Sequence, residues 1–444
     1  MQICWLVGPA NLQGGTMSEK TILVWFRNDL RVHDNEILFE ASRKADKVLP
    51  VYIFDPFYFK NTELGLLKTG NIRAEFLLES VADLRNNLQK LGGDLIVKIG
   101  NPAEIIPQLA QQYEVCEVYH HREVAFEETN KSEEVEAALW KIKLNLKHFI
   151  GHTLYHKEDL PFPIKDIPDS FSIFKKKVER DSQVRPCIET PEHIQIPEIT
   201  DAGIIPTLND LGLTEPVEDP RSDFHYEGGE STGLLHLEQY VSNQPLIAAK
   251  GAKHSDHPSR LSAWISLGCL SMRWVYREVT HGSHNSNSPL VLELLWRDYF
   301  RFMFKKHGKQ FYSAERFKEN DDLAANQEEL FEKWKSGNTG VSFVDASMRE
   351  LNATGYIAND NRQAVAVYLA HELKVDWRMG AAYFEEKLID YSPASNLGNW
   401  AFVAGVEHDP KDTRYFLSPK QLGELDSQTQ YISTWLPEVF AEQV

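Results

Sequence analysis

Residues 355–400 read GYIANDNRQAVAVYLAHELKVDWRMGAAYFEEKLIDYSPASNLGNW, and this run decides the fold of the second half of the chain. Its apolar positions recur at helical spacing, so it is read as successive helices. The same 46 residues carry Asn359, Arg362, Trp377, Asp390, Asn396 and Trp400. Tryptophans in a helical pattern, with one arginine and one carboxylate on neighbouring helices, suit a pocket that holds a flat redox ring and passes single electrons. Taken alone, Arg362 and Asp390 fit an ordinary inter-helix salt bridge equally well, and each tryptophan fits core packing.

Outward from that run the pattern stays helical from residue 231 onward. Periodic apolar positions recur in 231–242, 259–281, 289–307, 326–336, 342–354, 361–373 and 380–391. No repeat period is present, which argues against a solenoid. The first part of the chain differs. Residues 21–26 (TILVWF), 47–54 (KVLPVYIF), 94–100 (DLIVKIG) and 115–120 (VCEVYH) are short β-rich runs, separated by helical patterns at 34–46, 71–91, 102–113 and 126–147. Strand–helix alternation predicts a doubly wound parallel sheet, with ligands beyond the strand C-termini. No G-x-G-x-x-G follows the first strand, so the usual dinucleotide fingerprint is missing there. Between the halves, residues 151–230 are punctuated by prolines and hold short helical pieces such as SFSIFKKKVER (170–180). So long a segment, when ordered, wraps a neighbour. The expected organisation is an extension (1–20), an α/β domain (21–150), a connector (151–230) and an all-α domain (231–444).

Composition narrows the function. Of 444 residues, 42% are hydrophobic and 25% charged, as in a soluble globular protein. Net charge is −18, which argues against a protein that coats nucleic acid non-specifically and leaves room only for a local basic patch. The cysteines, Cys4, Cys116, Cys187 and Cys269, form no C-x-x-C pair. They read as buried apolar residues in a reducing compartment, with no metal site. No apolar run approaches the ~20 residues of a membrane span. Residues 1–16 lack the basic start of a signal peptide, and Met17 is a candidate true start.

Two further segments carry chemistry. In ELLWRDYFRF (293–302), Glu293, Trp296, Arg297 and Phe300 fall on one helix face. A Glu and a Trp facing one way suit a pocket that stacks a flat group and hydrogen-bonds its edge; a core Trp beside a surface Glu–Arg pair is the plain alternative. In HPSRLSAWISLGCLS (257–271), Ser259 and Ser262, with Arg260 and Leu261 between them, stand at a helix start, where free N–H groups bind phosphate or a hydroxyl simply caps.

These residues together resemble the photolyase/cryptochrome family of FAD-binding blue-light proteins, and within it the cryptochrome DASH group. The resemblance runs from Thr21 to about Trp435. It rests on VWFRNDLRVHDNE (24–36), GGES (228–231), LSAWISLGCLS (261–271), ELLWRDYFRF (293–302), TGYIANDNRQ (354–363), VDWRMGAAYFE (375–385), SNLGNW (395–400) and the tail DPKDTRYFLSPKQ (409–421) with Lys420 and Gln421. It implies that the helical domain holds a U-shaped FAD. Ser259, Arg260, Leu261 and Ser262 would bind the phosphates. Asn359, Arg362, Asp390, Ser392 and Asn396 would surround the ring, with Glu293 and Arg297 nearby. Trp400 and then Trp377 would supply electrons. The α/β domain would carry an antenna such as 5,10-methenyltetrahydrofolate, contacted by Glu123.

The implied activity is light-driven repair of cyclobutane pyrimidine dimers by electron transfer from reduced FAD, in single-stranded or loopable DNA, by a cytoplasmic monomer. Glu293, Trp296, Asn359 and Gln363 would take the flipped-out dimer. The (6-4) photolyases carry histidines at the positions of Asn359 and Gln363, so cyclobutane dimers are favoured. Several positions depart from the family pattern. Asp360 replaces an arginine beside the DNA backbone. Ser392 replaces an aspartate near the flavin. Ala324 stands where the outermost relay tryptophan is expected. The FAD-loop tyrosine is missing around 246–250. Phe402 replaces a Tyr or Trp near the lesion. These departures motivate the competing reading of a photoreceptor with little repair.

Overall fold

The computed structural model describes residues 19–249, 259–280, 288–308, 324–405 and 429–441. Residues 1–16, the loop around Lys250 and the 409–421 tail lie outside the described residues. The first half is a five-stranded, fully parallel sheet of order β3-β2-β1-β4-β5. Its strands are β1 (Thr21–Phe26), β2 (Lys47–Phe54), β3 (Ile96–Ile99), β4 (Val115–His121) and β5 (Leu146–Phe149). All six residues of β1 are buried, as the central strand of a doubly wound sheet must be. The crossover helices are α1 (Glu36–Lys44), α2 (Asn71–Lys90), α3 (Pro102–Gln112) and α4 (Phe126–Lys141). Asn35 caps α1 by accepting the Leu38 N–H at 3.2 Å, and Asn101 caps α3 ahead of Pro102.

The connector is ordered and wraps the α/β domain. Its Gln195 and Ala202 carbonyls accept N–H groups of Val48 and Val97 at 2.8 Å each. Its one α-helix, α5 (Phe171–Asp181), buries Phe171, Phe174 and Val178 against the helical half. That half contains α6 (Glu230–Ala249), α7 (Ser262–Ser266), α8 (Met272–Thr280), α9 (Pro289–His307), α10 (Gln327–Lys335), α11 (Ser342–Thr354), α12 (Asn359–Val367), α13 (Trp377–Lys387), α14 (Pro393–Val403), α15 (Thr429–Trp435) and α16 (Glu438–Ala441).

Three expectations are corrected. The helical pattern over 126–147 ends at Lys141, where Lys143 turns with φ 63°, and the chain enters β5. The single helix expected over 259–281 is two, α7 and α8, broken at Gly268. There φ is 66°, and a Cβ would lie 2.0 Å from the Asn28 carbonyl oxygen. Only glycine allows that approach between the two halves. The helix expected over 361–373 changes after Val367 to a π-helical turn, Tyr368–Glu372.

Helix α9 ties the connector to the helical half. Asp298 is buried and accepts the Leu154 and Tyr155 N–H groups at 2.9 Å each. Removing both acceptors strands two buried donors. Asp298→Ala is therefore expected to lower the unfolding free energy by roughly 2–4 kcal/mol. Urea denaturation followed by circular dichroism checks this; an unchanged midpoint would contradict it.

Candidate functional site

Helices α12, α13 and α14 bring the expected residues of the 355–400 run to one wall. Arg362 donates from Nη2 to Asp390 Oδ2 at 2.8 Å and from Nε to the Ile357 carbonyl at 2.8 Å. Asp390 is buried, yet its Oδ1 has no hydrogen-bond partner among the described residues. Asn396 is buried on α14 and donates to the Ala381 carbonyl at 2.9 Å. Asn359 and Asp360 are exposed at the start of α12, with Gln363 one turn further on. Ser392 is the buried N-cap residue of α14, and its side chain makes no capping bond.

Trp400 is buried and packs across Gly380 of α13, where a Cβ would sit 2.3 Å from its Cη2. Trp377 is buried at the first position of α13, behind its N-cap Asp376. Ala324, at the expected outer relay position, donates its backbone N–H to the Lys374 carbonyl. A tryptophan not singled out from sequence stands beside Trp400. Trp334 of α10 is fully buried, lies edge-on to Trp400 at 6.2 Å between ring centres, and donates Nε1–H to the Val365 carbonyl. Its signal was present as Phe331 and Trp334, three apart on a short amphipathic helix.

On α9, Glu293 is exposed, yet neighbouring protein atoms partly desolvate its carboxyl. That desolvation pushes its carboxyl up to about 7, with Arg362 pulling the other way. Trp296 has one face stacked on Phe171 of the connector, 3.5 Å between ring centres, and Phe402 edge-on at 6.0 Å. Arg297 is pushed down to about 10 by burial and donates to the Ile265 carbonyl at 3.4 Å.

The α7 start is arranged differently from a simple phosphate cap. Ser259 is buried and Leu261 is core. Arg260 adopts φ 53° and pairs with Asp223 at 2.9 and 3.0 Å. The guanidinium groups of Arg260 and Arg362 lie 5.8 and 5.2 Å from the centre of the Tyr356 ring. Tyr226 packs 5.6 Å from that same ring and from Trp264. Its buried hydroxyl has no hydrogen-bond partner among the described residues, and Tyr356, Arg260, Asp390 and Arg362 are the groups that act on it electrostatically. Two cations, an aromatic wall and two orphaned polar atoms fit a ligand with phosphates and a flat hydrogen-bonding ring. Sequence reasoning missed Tyr226 because it precedes the GGES motif in the connector.

Glu123 is not an open antenna wall. It is buried and committed to Arg301 at 2.8 Å, Asn28 at 3.0 Å and His152 at 3.3 Å. The cavity beside it is about 20 Å³, room for one water. A cavity of about 290 Å³ lies instead at the C-terminal ends of β1 and β2, lined by Trp25, Tyr52, Phe54, Tyr58, Lys68 and Tyr391. That is where a doubly wound sheet takes ligands. Among the described residues no His/Cys/Asp/Glu group could hold a metal ion.

Comparison with known proteins agrees with this geometry. A family model described as DNA photolyase matches residues 22–195, and one described as the FAD binding domain of DNA photolyase matches residues 290–442. Cryptochrome DASH of Gloeobacter violaceus is 44% identical over 433 residues, covering 95% of this chain and 87% of the relative. A solved cryptochrome from Synechocystis aligns with a TM-score of 0.88 and 40% identity, over 95% of this chain and 89% of that one. An archaeal photolyase from Sulfolobus tokodaii, solved with two FAD molecules, aligns at 0.76 and 29% identity, over 94% and 90%.

Tyr226→Phe separates a ligand-facing hydroxyl from a packing role. Without ligand, the variant loses only an unsatisfied group, so its thermal stability is expected to be unchanged or slightly higher. With FAD, the dissociation constant is expected to rise roughly tenfold, the worth of one hydrogen bond. Flavin fluorescence titration reads the second effect; equal affinity for both proteins would assign the hydroxyl no part in binding.

Proposed function

The chain belongs to the photolyase/cryptochrome family, in its cryptochrome DASH group, and from that premise we propose that it is a light-driven enzyme that splits cyclobutane pyrimidine dimers in single-stranded DNA. Arg362, Asp390, Ser392 and Asn396 would hold the FAD ring, and Ser259, Arg260, Leu261 and Ser262 its phosphates. When bound, FAD supplies blue-light absorption and one-electron chemistry.

The residues of the chain provide the rest. The observation that carries the reading is the Arg362–Asp390 pair at 2.8 Å, which leaves Asp390 Oδ1 without a hydrogen-bond partner among the described residues, with Glu293 of α9, its carboxyl pushed up to about 7, near enough for Arg362 to act on it. A neutral carboxyl can donate a hydrogen bond to a pyrimidine carbonyl, which a carboxylate cannot do. Asn359 and Gln363, one turn apart on α12, offer amides to the same edge. Trp296, backed by Phe171, gives a rigid apolar surface against which a flipped-out dimer packs. Trp400 and Trp377, both buried, are the residues from which the site would draw electrons. A folate or other flat antenna fits the 290 Å³ cavity better than the cavity at Glu123. Among the described residues no helix is long and apolar enough to cross a membrane; the enzyme is read as cytoplasmic and monomeric.

One observation favours a photoreceptor with little repair. Asp360 is exposed at the first turn of α12 and would repel a phosphate at the pocket mouth. The decisive experiment irradiates the FAD-loaded, reduced protein with blue light in the presence of a dimer-containing single strand. Recovery of intact pyrimidines is expected, and their absence would sink the repair reading. Asp360→Arg is expected to tighten binding to that strand at low salt; unchanged binding would remove the case against repair that rests on charge.

The pH dependence follows from Glu293. Its folded-state pKa is raised, so the neutral donor is present below about 7 and lost as pH rises through it. Affinity for dimer-containing DNA is expected to fall across about pH 6–8. Glu293→Gln is neutral throughout and should flatten the profile. An equally steep profile in the variant would assign the titration elsewhere.

A further inference from the structure

We propose that the outward face of α5 is a track for the phosphodiester backbone of single-stranded DNA, leading to Trp296. This deepens the repair reading and rests on it for the identity of the strand, but it can fail separately. A groove of about 690 Å³ runs between α5 and α9, lined by Lys175, Lys176, Arg180, Leu292, Phe171 and Trp296 among others. On α5, Ser172, Lys176 and Arg180 follow at four-residue spacing, so they form one stripe, with Lys175 and Glu179 beside it. The helix carries four basic residues against two acidic ones, in a chain whose net charge is −18.

These cations are available. Lys176 is exposed and forms no ion pair or hydrogen bond among the described residues. Within the same residues Arg180 pairs only with its exposed neighbour Asp181, and Lys175 pairs one turn on with Glu179 at 3.1 Å. Exposed pairs of this kind are weak and exchange readily for a phosphate. Trp296 closes one end of the groove, stacked on Phe171, and Leu292 adds an apolar floor at 39% exposure. A cationic stripe beside an aromatic platform is the pattern of single-strand binding; an acidic peptide would use the stripe and leave the platform without a partner. Because α5 rests against α9, the stripe is fixed relative to Glu293 and Trp296, so a strand held there would present its bases on the pocket side.

The test uses the FAD-loaded full chain and an undamaged single-stranded thymidine oligonucleotide. Binding is read by fluorescence anisotropy over a salt series. Each phosphate contact on a single strand contributes about 0.7 to the log–log salt slope. Replacing Lys175, Lys176 and Arg180 together by alanine is expected to lower the slope by about 2 and to weaken low-salt binding at least tenfold. The flavin spectrum should not change, since all three side chains lie outside that pocket. The ratio of affinities for dimer-containing and undamaged strands should be kept, because it reads Glu293 and Trp296. Retention of the wild-type slope and affinity overturns the track, as does failure of the wild type to bind undamaged strand at low salt. Equal binding of a polyglutamate peptide also overturns it. A lowered slope with no discrimination of the dimer in the wild type would leave the track standing and sink the repair reading.

Discussion

The structure depends on how one buried arginine is satisfied. Arg31 follows β1 and is almost fully enclosed, yet among the described residues no carboxylate forms an ion pair with it. Its guanidinium donates to the backbone carbonyls of His33, Asp34, Gly151 and Gly268. A buried charge is tolerated when its donors are all used and expensive otherwise. Those carbonyls come from the β1 loop, the start of the connector and the α7–α8 turn. The cage can therefore close only when the sheet, the connector and the helical half are in register. Around it, Glu230 at the start of α6 accepts the N–H groups of Val32 and His33, and Asp34 takes Arg273 at 2.6 and 3.0 Å. Burial alone would raise the Glu230 carboxyl, but His33 and the two backbone donors hold it below its ordinary range. The VWFRNDLRVHDN loop is thus a polar weld between two hydrophobic halves, and the glycine at 268 lets the backbones meet.

Much of this was legible in the sequence, for identifiable reasons. Alternating β-rich and helical periods are local signals, so four of the strands and the crossover helices were readable. β5 was not, because LKHF is short, half-polar and continuous with the α4 pattern. The break between α7 and α8 was hidden for another reason. Gly268 sits inside an apolar period, and what demands it is the Asn28 carbonyl, 240 residues away in sequence. The site divides in the same way. Arg362 was readable on its helix, but Asp390, expected on a helix over 380–391, stands in the turn between α13, which ends at Lys387, and α14. Tyr226 was not readable, since only packing reveals that its hydroxyl is orphaned. Glu123 was expected at an antenna only because the family resemblance implies a contact there. The fold instead uses it to neutralise Arg301.

The aromatic chain below the site carries a similar lesson. With alanine at 324, the tryptophans expected in order from the ring outward are reduced to Trp400 and Trp377. The structure also sets Trp334 against Trp400 and continues through Tyr383, 5.8 Å from Trp334. Trp334 is fully buried with its N–H held by a carbonyl, and Lys335 and Lys387 lie over the Tyr383 ring. Nearby cations disfavour removal of an electron from a ring, and a held N–H has no base to leave to. Trp334 and Tyr383 thus form a packed, hydrogen-bonded wall against Trp400.

Helix α9 shows how one element serves both the frame and the pocket. Glu293 and Asp298, five residues apart, both have carboxyls pushed up to about 7, Asp298 fully buried and Glu293 exposed but crowded by neighbouring atoms. Their surroundings then separate them. Asp298 receives two backbone N–H groups and fixes the connector, so its polarity is spent on structure. Glu293 is exposed on the same helix, and Arg362 is the charge that acts on it, pulling its carboxyl back down. Between them Arg297 and Trp296 turn to opposite duties, one donating to the Ile265 carbonyl and the other stacked on Phe171. The connector held by Asp298 carries α5, and α5 supplies the ring that backs Trp296. The rigidity of the stacking surface at the pocket therefore derives from a buried aspartate on the far side of the same helix.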